Sequence, residues 1–190
     1  MELRWPGADE LPSYVDALER GWSPNTMDPE AGRRQLAEIR DDPDGFLASL
    51  VMNPGSTGTP ITLPDGSVVR RIPGYDRWIW DGEFCGRIGF RRQPGTEELP
   101  PHVFGHVGYA VVPWKRRRGY ATEALRMLLG EIAGEGLRWV EVTTDPDNIA
   151  SRRVVEANGG RLVERFVYPP AIGRGTGLRY RVGLGGTLTV

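Results

Sequence analysis

The chain of 190 residues carries 24 basic and 25 acidic side chains, a net charge of −1, so no global field draws it to nucleic acid or to an anionic membrane. The length suits one domain, 1–190, with a real core, and would leave two independent domains cramped. Cys85 is the single cysteine. It excludes an intramolecular disulfide, and without a CxxC pair or a Cys/His cluster no metal site is expected. No apolar run approaches the roughly 20 residues that span a bilayer, and a soluble cytoplasmic protein in reducing surroundings is the expectation.

In chain order, Leu11, Tyr14, Val15 and Leu18 recur at helical spacing behind Asp9 and predict a first helix ending near Gly21. Asp28-Pro29 reads as an N-cap followed by the proline of a first helical turn, opening a second helix through Leu36 and Ile39. The short apolar stretch "FLASLVMN" reads as a strand. "TPITLPDGSVVRRIPG" reads as an inserted hairpin turning at Asp65-Gly66. "RWIWDGEFCGRIGFRR" is the clearest hairpin, turning at Asp81-Gly82, with Gly86 and Gly89 marking a bulge or a close backbone approach. A polar, proline-rich loop holding His102 leads to the β-rich "FGHVGYAVVP". "GYATEALRMLLGEIAGEG" places Leu125, Leu128, Leu129 and Ile132 on one helical face. "RWVEVTT" reads as a strand and "DPDNIASRRVVEANGG" as a capped helix with Asn158-Gly159 at its end. "RLVERFVY" and "LRYRVGL" read as two strands joined by a glycine-rich loop. The order predicts an α/β (α+β) fold with a mixed, mostly antiparallel central sheet flanked by helices and an extra hairpin after the first strand.

The stretch "PWKRRRGYATEAL", residues 113–125, carries the chemistry. A strand, a glycine-containing loop and a helix N-terminus together make an anion site, because the first N–H groups of the helix have no intrahelical acceptor and sit at its positive dipole end. Gly119 permits close approach, Ala121 leaves the first turn unobstructed, and Arg116, Arg117 and Arg118 add charge-assisted donors suited to phosphate oxygens. The sequence contains no GxxxxGK[ST] and no GxGxxG after a strand, which argues against a nucleotide P-loop and a dinucleotide fold.

Arg116-x-x-Gly119-x-Ala121 resembles the R/Q-x-x-G-x-G/A loop of the GNAT superfamily of acyl-CoA-dependent N-acyltransferases. The resemblance covers roughly residues 78–182. "DGEFCGRIGF" is similar to the family's second and third strands, and "HVGYAVVPWKRRRGYATEAL" to its fourth strand and pyrophosphate loop. "VEVTTDPDNIASRRVVEANGGRLVER" is similar to the next strand, an asparagine-containing helix and its closing turn. Residues 1–75, holding the N-terminal helices, first strand and inserted hairpin, match only in element order, and 76–184 form the expected acyl-CoA-binding core. The resemblance implies acetyl-CoA as co-substrate, no metal and an amine acceptor. It implies that the backbone of Val111 and Val112 pairs with the pantetheine arm, and that Arg116, Arg117, Arg118, Gly119, Tyr120, Ala121 and Thr122 wrap the pyrophosphate. Asn148 would bond the pantetheine or a nearby backbone group, with Ser151 close to the thiol.

The implied reaction is attack of a neutral amine on a thioester, and an alkyl ammonium near pKa 10.4 must first lose a proton. Many relatives place a glutamate two residues before the Gly-Tyr of the fourth strand. Here His106 stands there, with an unperturbed pKa near 6.5 that suits a base at neutral pH. Many relatives also place a tyrosine seven residues after the asparagine as acid for the leaving thiolate. Here that position is Val155, which leaves Ser151 as a candidate assistant and keeps open a non-catalytic acyl-CoA-binding or sensing module on the same fold. A nucleic-acid site at the basic run is a further alternative, against which the near-neutral charge argues. Trp78 and Trp80 read as core, Cys85 as a small buried hydrophobe, and Glu141 and Thr143 as residues of a strand that can face the acceptor. Apolar strand edges leave room for a homodimer.

Overall fold

The computed structural model describes residues 1–25, 28–52, 60–63 and 65–184. In chain order these form β1 (Glu2–Arg4), α1 (Leu11–Glu19), α2 (Ala31–Asp41), α3 (Pro43–Ser49), β2 (Val51–Met52), β3 (Pro60–Thr62), β4 (Val68–Arg70), β5 (Gly74–Trp80), β6 (Phe84–Arg91) and β7 (Val107–Val111). There follow α4 (Tyr120–Ile132), β8 (Trp139–Thr144), α5 (Ile149–Ala157), β9 (Arg161–Val167) and β10 (Thr176–Gly183). The larger sheet runs β1-β5-β6-β7, with β2 pairing β5 beyond β1, and the smaller runs β8-β10-β9. All of these pairings are antiparallel. The expected α/β fold of mostly antiparallel strands flanked by helices is what the chain forms, with the strands divided between two sheets where one central sheet was expected.

Alternation along the strands decides which helix covers which face. Ile79, Ile88 and Val107 turn to one side and meet Leu125, Leu128 and Ile132 of α4 in one core, which also takes in Val155 of α5 and Val140 and Val142 of β8. Leu125, Leu128 and Ile132 are fully buried, and each contributes about 1.5–3 kcal/mol through the water it sheds. Trp78, Trp80, Phe84, Ala110 and Val112 turn to the other side, under α1, α2 and α3. There Tyr14 stacks on Trp78 with centroids 4.6 Å apart, and Phe84 meets Tyr14 edge-on at 4.9 Å. The two tryptophans are therefore core, as their alternation suggests.

Several boundaries differ from the expectation. "FLASLVMN" is not a strand: Pro43–Ser49 is helical, and only Val51–Met52 pairs, with Tyr75 and Gly74. The cause is Asp42-Pro43, where the Asp42 carboxylate accepts the Gly45 N–H at 2.9 Å and proline pre-sets the first turn. Asp28-Pro29 acts differently from the expected cap: α2 begins at Ala31 behind Glu30, and Asp28 accepts the Glu30 N–H at 3.1 Å in a turn ahead of the helix. β1 is an additional strand, pairing Glu2 to Arg4 with Trp80 to Trp78. The hairpin of β3 and β4 turns at Asp65-Gly66 with Gly66 at φ +83°. Its flanking residues 53–59 and 64, together with residues 26–27 and 185–190, lie outside the described residues.

Candidate active site

β7 and β8 lie side by side but belong to different sheets, and His106 fixes where they part. The His106 N–H donates to Glu141 O at 2.8 Å, while His106 O accepts the Arg91 N–H at 2.9 Å from β6. The Glu141 N–H then donates to the His106 side chain, at Nδ1, across 2.9 Å. An imidazole thus takes the place of a backbone carbonyl at the last rung, and beyond it the strands diverge. The ring is fully buried and edge-on to Trp139. Burial, reinforced by the Arg91 charge, pushes its pKa down to about 4. Such a ring is neutral at pH 7, its one basic nitrogen is occupied, and it does not line the cleft described below. The expectation of a general base at His106 therefore does not fit this environment, and the residue joins the sheets instead.

Past His106 the β6–β7 ladder leaves one edge of β7 facing the gap. The Val112 N–H donates to Cys85 O at 3.0 Å and so points at β6. By the alternation of an antiparallel ladder, the backbone groups of Tyr109 and Val111 point the other way. Val111 thus fits the expected contact with an extended ligand, and Val112, fully buried with its N–H engaged, does not. Gly86 lets β6 come this close: its φ is +152°, and a Cβ there would lie 2.3 Å from Ala110 O.

The basic run divides into two functions. Lys115 is buried and binds both oxygens of Asp81 at 3.0 Å and Glu83 at 2.6 Å, tying the loop to the β5–β6 turn. Tyr120 donates to the same Asp81. Against the push of burial, these donors hold the Asp81 carboxyl well below the usual range. Arg116, Arg117 and Arg118 face outward, with Arg116 Nε reaching Val111 O at 3.1 Å. Arg117 and Gly119 both take left-handed backbone, φ +61° and +82°, which curls the loop in front of α4. The first α-helical bond runs from the Glu123 N–H to Gly119 O at 3.0 Å. The N–H groups of Tyr120, Ala121 and Thr122 precede it at the positive end of the helix. A Cβ on Gly119 would meet nothing within 4 Å, so the mouth of the cradle is open. Unbonded N–H groups, exposed guanidiniums and open space fit a diphosphate.

At the other end of the gap, Asn148 caps α5 by accepting the Ser151 N–H at 3.1 Å. The Ser151 hydroxyl lies 2.8 Å from the Tyr109 hydroxyl, and Tyr109 also donates to Ser151 O at 3.3 Å. Burial pushes the Tyr109 phenol up to about 12. Val155 is fully buried in the core, so a phenol is absent from that helix but is supplied by β7 to Ser151 one turn earlier. The sequence reading passed over Tyr109. Its signal was the aromatic after Gly108 on the edge strand.

Tyr109, Asn148 and Ser151 open onto a cleft of about 980 Å³ walled by α2 and α3, residues 102–105 and the end of β8, with Asp76, Arg87 and Arg91 on its floor. Thr143 lines it, and so does the half-buried His102. Glu141 is buried and bound by Arg181 at 3.1 Å and Arg179 at 3.4 Å. Cys85 is fully buried, bonds Glu83 O at 3.4 Å and has its thiol pushed up to about 12 by burial and Asp81. It is no activated nucleophile. Among the described residues no cluster of three or more His, Cys, Asp or Glu is placed to hold a metal, and no helix is long and apolar enough to cross a membrane.

An anion cradle joined by one strand to a walled cleft describes an acyl-transfer enzyme. The chain belongs to the GNAT acetyltransferases: the family model for the acetyltransferase (GNAT) domain matches residues 3–161. The match starts well before the core that the motifs mark, and takes in the N-terminal helices. Solved structures share the fold. RimL, a ribosomal L7/L12 alpha-N-protein acetyltransferase in complex with coenzyme A, is 14% identical, with 96% of this chain and 93% of that one covered and a TM-score of 0.62. A GNAT-family acetyltransferase from Bacillus anthracis is 18% identical over 97% and 95% of the two chains, with a TM-score of 0.56. An acetyltransferase from Agrobacterium tumefaciens is 20% identical over 94% and 88%, with a TM-score of 0.53. No curated protein matches the sequence.

Proposed function

We propose that the protein transfers the acetyl group of acetyl-CoA to the primary amine of a small acceptor, by direct attack within a ternary complex. One observation carries this: β7 and β8 belong to different sheets, Tyr109 of β7 and Val142, Thr143 and Thr144 of β8 line the cleft with Ser151, and the same β7 runs on into the cradle at residues 116–122, so a diphosphate and an acyl group have separate seats at the two ends of one strand. Residues 116–122 bind the pyrophosphate, the Val111 N–H on the edge of β7 bonds the pantetheine arm beside the carbonyl that Arg116 holds, and residues 76–184 form the cofactor core. The N-terminal residues 1–75 shape the acceptor's wall, since α2 and α3 line the cleft.

The chemistry follows from the groups present. The amine enters the cleft neutral, its proton released to solvent, and attacks the thioester carbonyl. The oxyanion faces backbone N–H groups on the open edge of β7, already oriented by the ladder on the opposite side. Collapse of the tetrahedral intermediate needs a proton for the departing thiolate. The Tyr109 phenol, protonated throughout the neutral range and bonded to Ser151, supplies it, and the proton that the intermediate's ammonium nitrogen must shed to become the amide restores the phenol. His106 holds the gap open and stays neutral. Val155 was the feature that kept a non-catalytic module in view, and the Tyr109–Ser151 pair fills the role its missing phenol left.

The test is to incubate the protein with acetyl-CoA and a panel of primary amines, reading N-acetyl product by mass spectrometry and thiol release in parallel. Product and thiol should appear together, and Tyr109→Phe should lower kcat by about 10²-fold or more with KM for acetyl-CoA little changed. Undiminished turnover in that variant would remove Tyr109 from the mechanism.

A further inference from the structure

The floor of the cleft is built around two glycines. On β6, Arg87, Gly89 and Arg91 share one face, and Gly89 is paired with Asp76 on one side and with Gly108 on the other. A Cβ at Gly89 would lie 2.3 Å from Asp76 Oδ1 and 2.8 Å from Arg87 Nη2, and one at Gly108 would lie 3.1 Å from Arg91 Nη2. The missing side chains leave a trough across the sheet, and two guanidiniums lie in it.

Their situations differ. Arg87 donates to both oxygens of Asp76 at 2.6 and 2.9 Å and to Pro24 O at 3.2 Å. Arg91 is half-buried, lines the same cleft, and among the described residues its guanidinium has no hydrogen bond and no ion pair. Asp76 exerts some attraction on it, but both Asp76 oxygens are already bound by Arg87. Burial first, and the neighbouring Arg87 second, push the Arg91 pKa down to about 10, which leaves it charged at pH 7. A half-buried charge without a partner is costly unless an opposite charge arrives. Its Nη2 stands over Gly108, and Arg91, Tyr109 and Ser151 line one cleft, so the arriving charge would share that cleft with the reacting groups.

We propose that Arg91 is the acceptor-recognition residue, binding the carboxylate of a small amino carboxylate such as an amino acid whose amine is the group acetylated. The inference rests on the acetyl transfer proposed above and names its substrate class. The Arg91 guanidinium on the floor of the cleft matches one negative charge, its planar fork matches two carboxylate oxygens, and a cleft of about 980 Å³ holds a small molecule. Arg71 also lines the cleft, while the acidic Glu38, Asp41 and Asp42 stand on its α2–α3 wall, where an acceptor's ammonium group would face them.

The experiment compares acceptors of one skeleton: an amino acid, its amide, its decarboxylated amine, its phosphonate analogue and a short peptide beginning with the same residue. The wild type should favour the free amino acid over amide and amine by roughly 10- to 100-fold in kcat/KM, the usual worth of a charge-assisted hydrogen bond. Arg91→Gln should erase that preference through a raised KM for the amino acid, lowering kcat/KM for the acid far more than for the amide, while Arg91→Lys should keep part of it. Thermal stabilisation by acetyl-CoA, measured on the same samples, should be alike in all three proteins. Equal use of acid and amide, a preference for peptide or phosphonate, or no acetylation of any acceptor would overturn the assignment. If acetyl-CoA still stabilises the protein, the failure belongs to acceptor recognition alone. If it does not, the acetyl-transfer reading fails as well.

Discussion

His106 shows how far a residue's chemistry depends on where the chain puts it. A histidine at that point of an edge strand reads as a base. Buried against Trp139 with Nδ1 on the Glu141 N–H, it is a neutral acceptor. Its pKa lies at about 4 in the folded protein against 6.5 when free, so only the unfolded chain takes up the proton between those values. Stability is complete above pH 6.5, declines as pH falls, and has lost about 3 kcal/mol once pH passes below 4. Denaturant unfolding at a series of pH values should show this slope. His106→Gln, whose carbonyl can accept the same N–H, should flatten it without introducing a new inflection in the pH–rate profile between 5 and 8. A catalytic base at this position would instead shift or abolish such an inflection. Much of the site was legible at this scale, because Asn148, Ser151 and the residue types of the basic loop are local in sequence. Tyr109 and Arg91 were not, because their roles arise from neighbours 42 and 17 positions away, Ser151 and Gly108.

At the scale of elements, strong periodicity and turn chemistry were read well, and two short elements were not. α4 declares itself by spacing, and Leu128→Ala should cost about 2–5 kcal/mol in denaturant unfolding, since the side chain is fully buried in the core that α4 shares with the sheets. α3 lies in a stretch too apolar to show a period, so its Asp42-Pro43 cap was the only clue. β1 has three residues and owes its conformation to pairing with β5. The loop before α4 carries the sharpest expectation. Gly119→Glu places a side chain and a negative charge at a left-handed position in the mouth of the cradle. It should cost about 1 kcal/mol of stability from backbone strain, yet abolish binding of CoA in calorimetry. Retained affinity would mean that the diphosphate lies elsewhere.

Across the whole molecule, two sheets share a core beneath α4 and α5 and part at a single histidine, and β7 leads from the cleft to an anion cradle. The motifs marked the cradle and the order of elements from residue 78 onward. The meeting of α2 and α3 with the sheet, and the trough across Gly89 and Gly108, are long-range and left no periodic trace in the sequence. The measurement that tests this account most directly is the thermal unfolding midpoint of the wild type and Gly119→Glu, each with and without acetyl-CoA at about 100 times its dissociation constant for the wild type. Binding to the native state should add about 2.7 kcal/mol and raise the wild-type midpoint by roughly 5 to 10 °C, and Gly119→Glu should not move. A shift in neither protein, or an equal shift in both, would contradict the assignment of this loop and gap to acetyl-CoA.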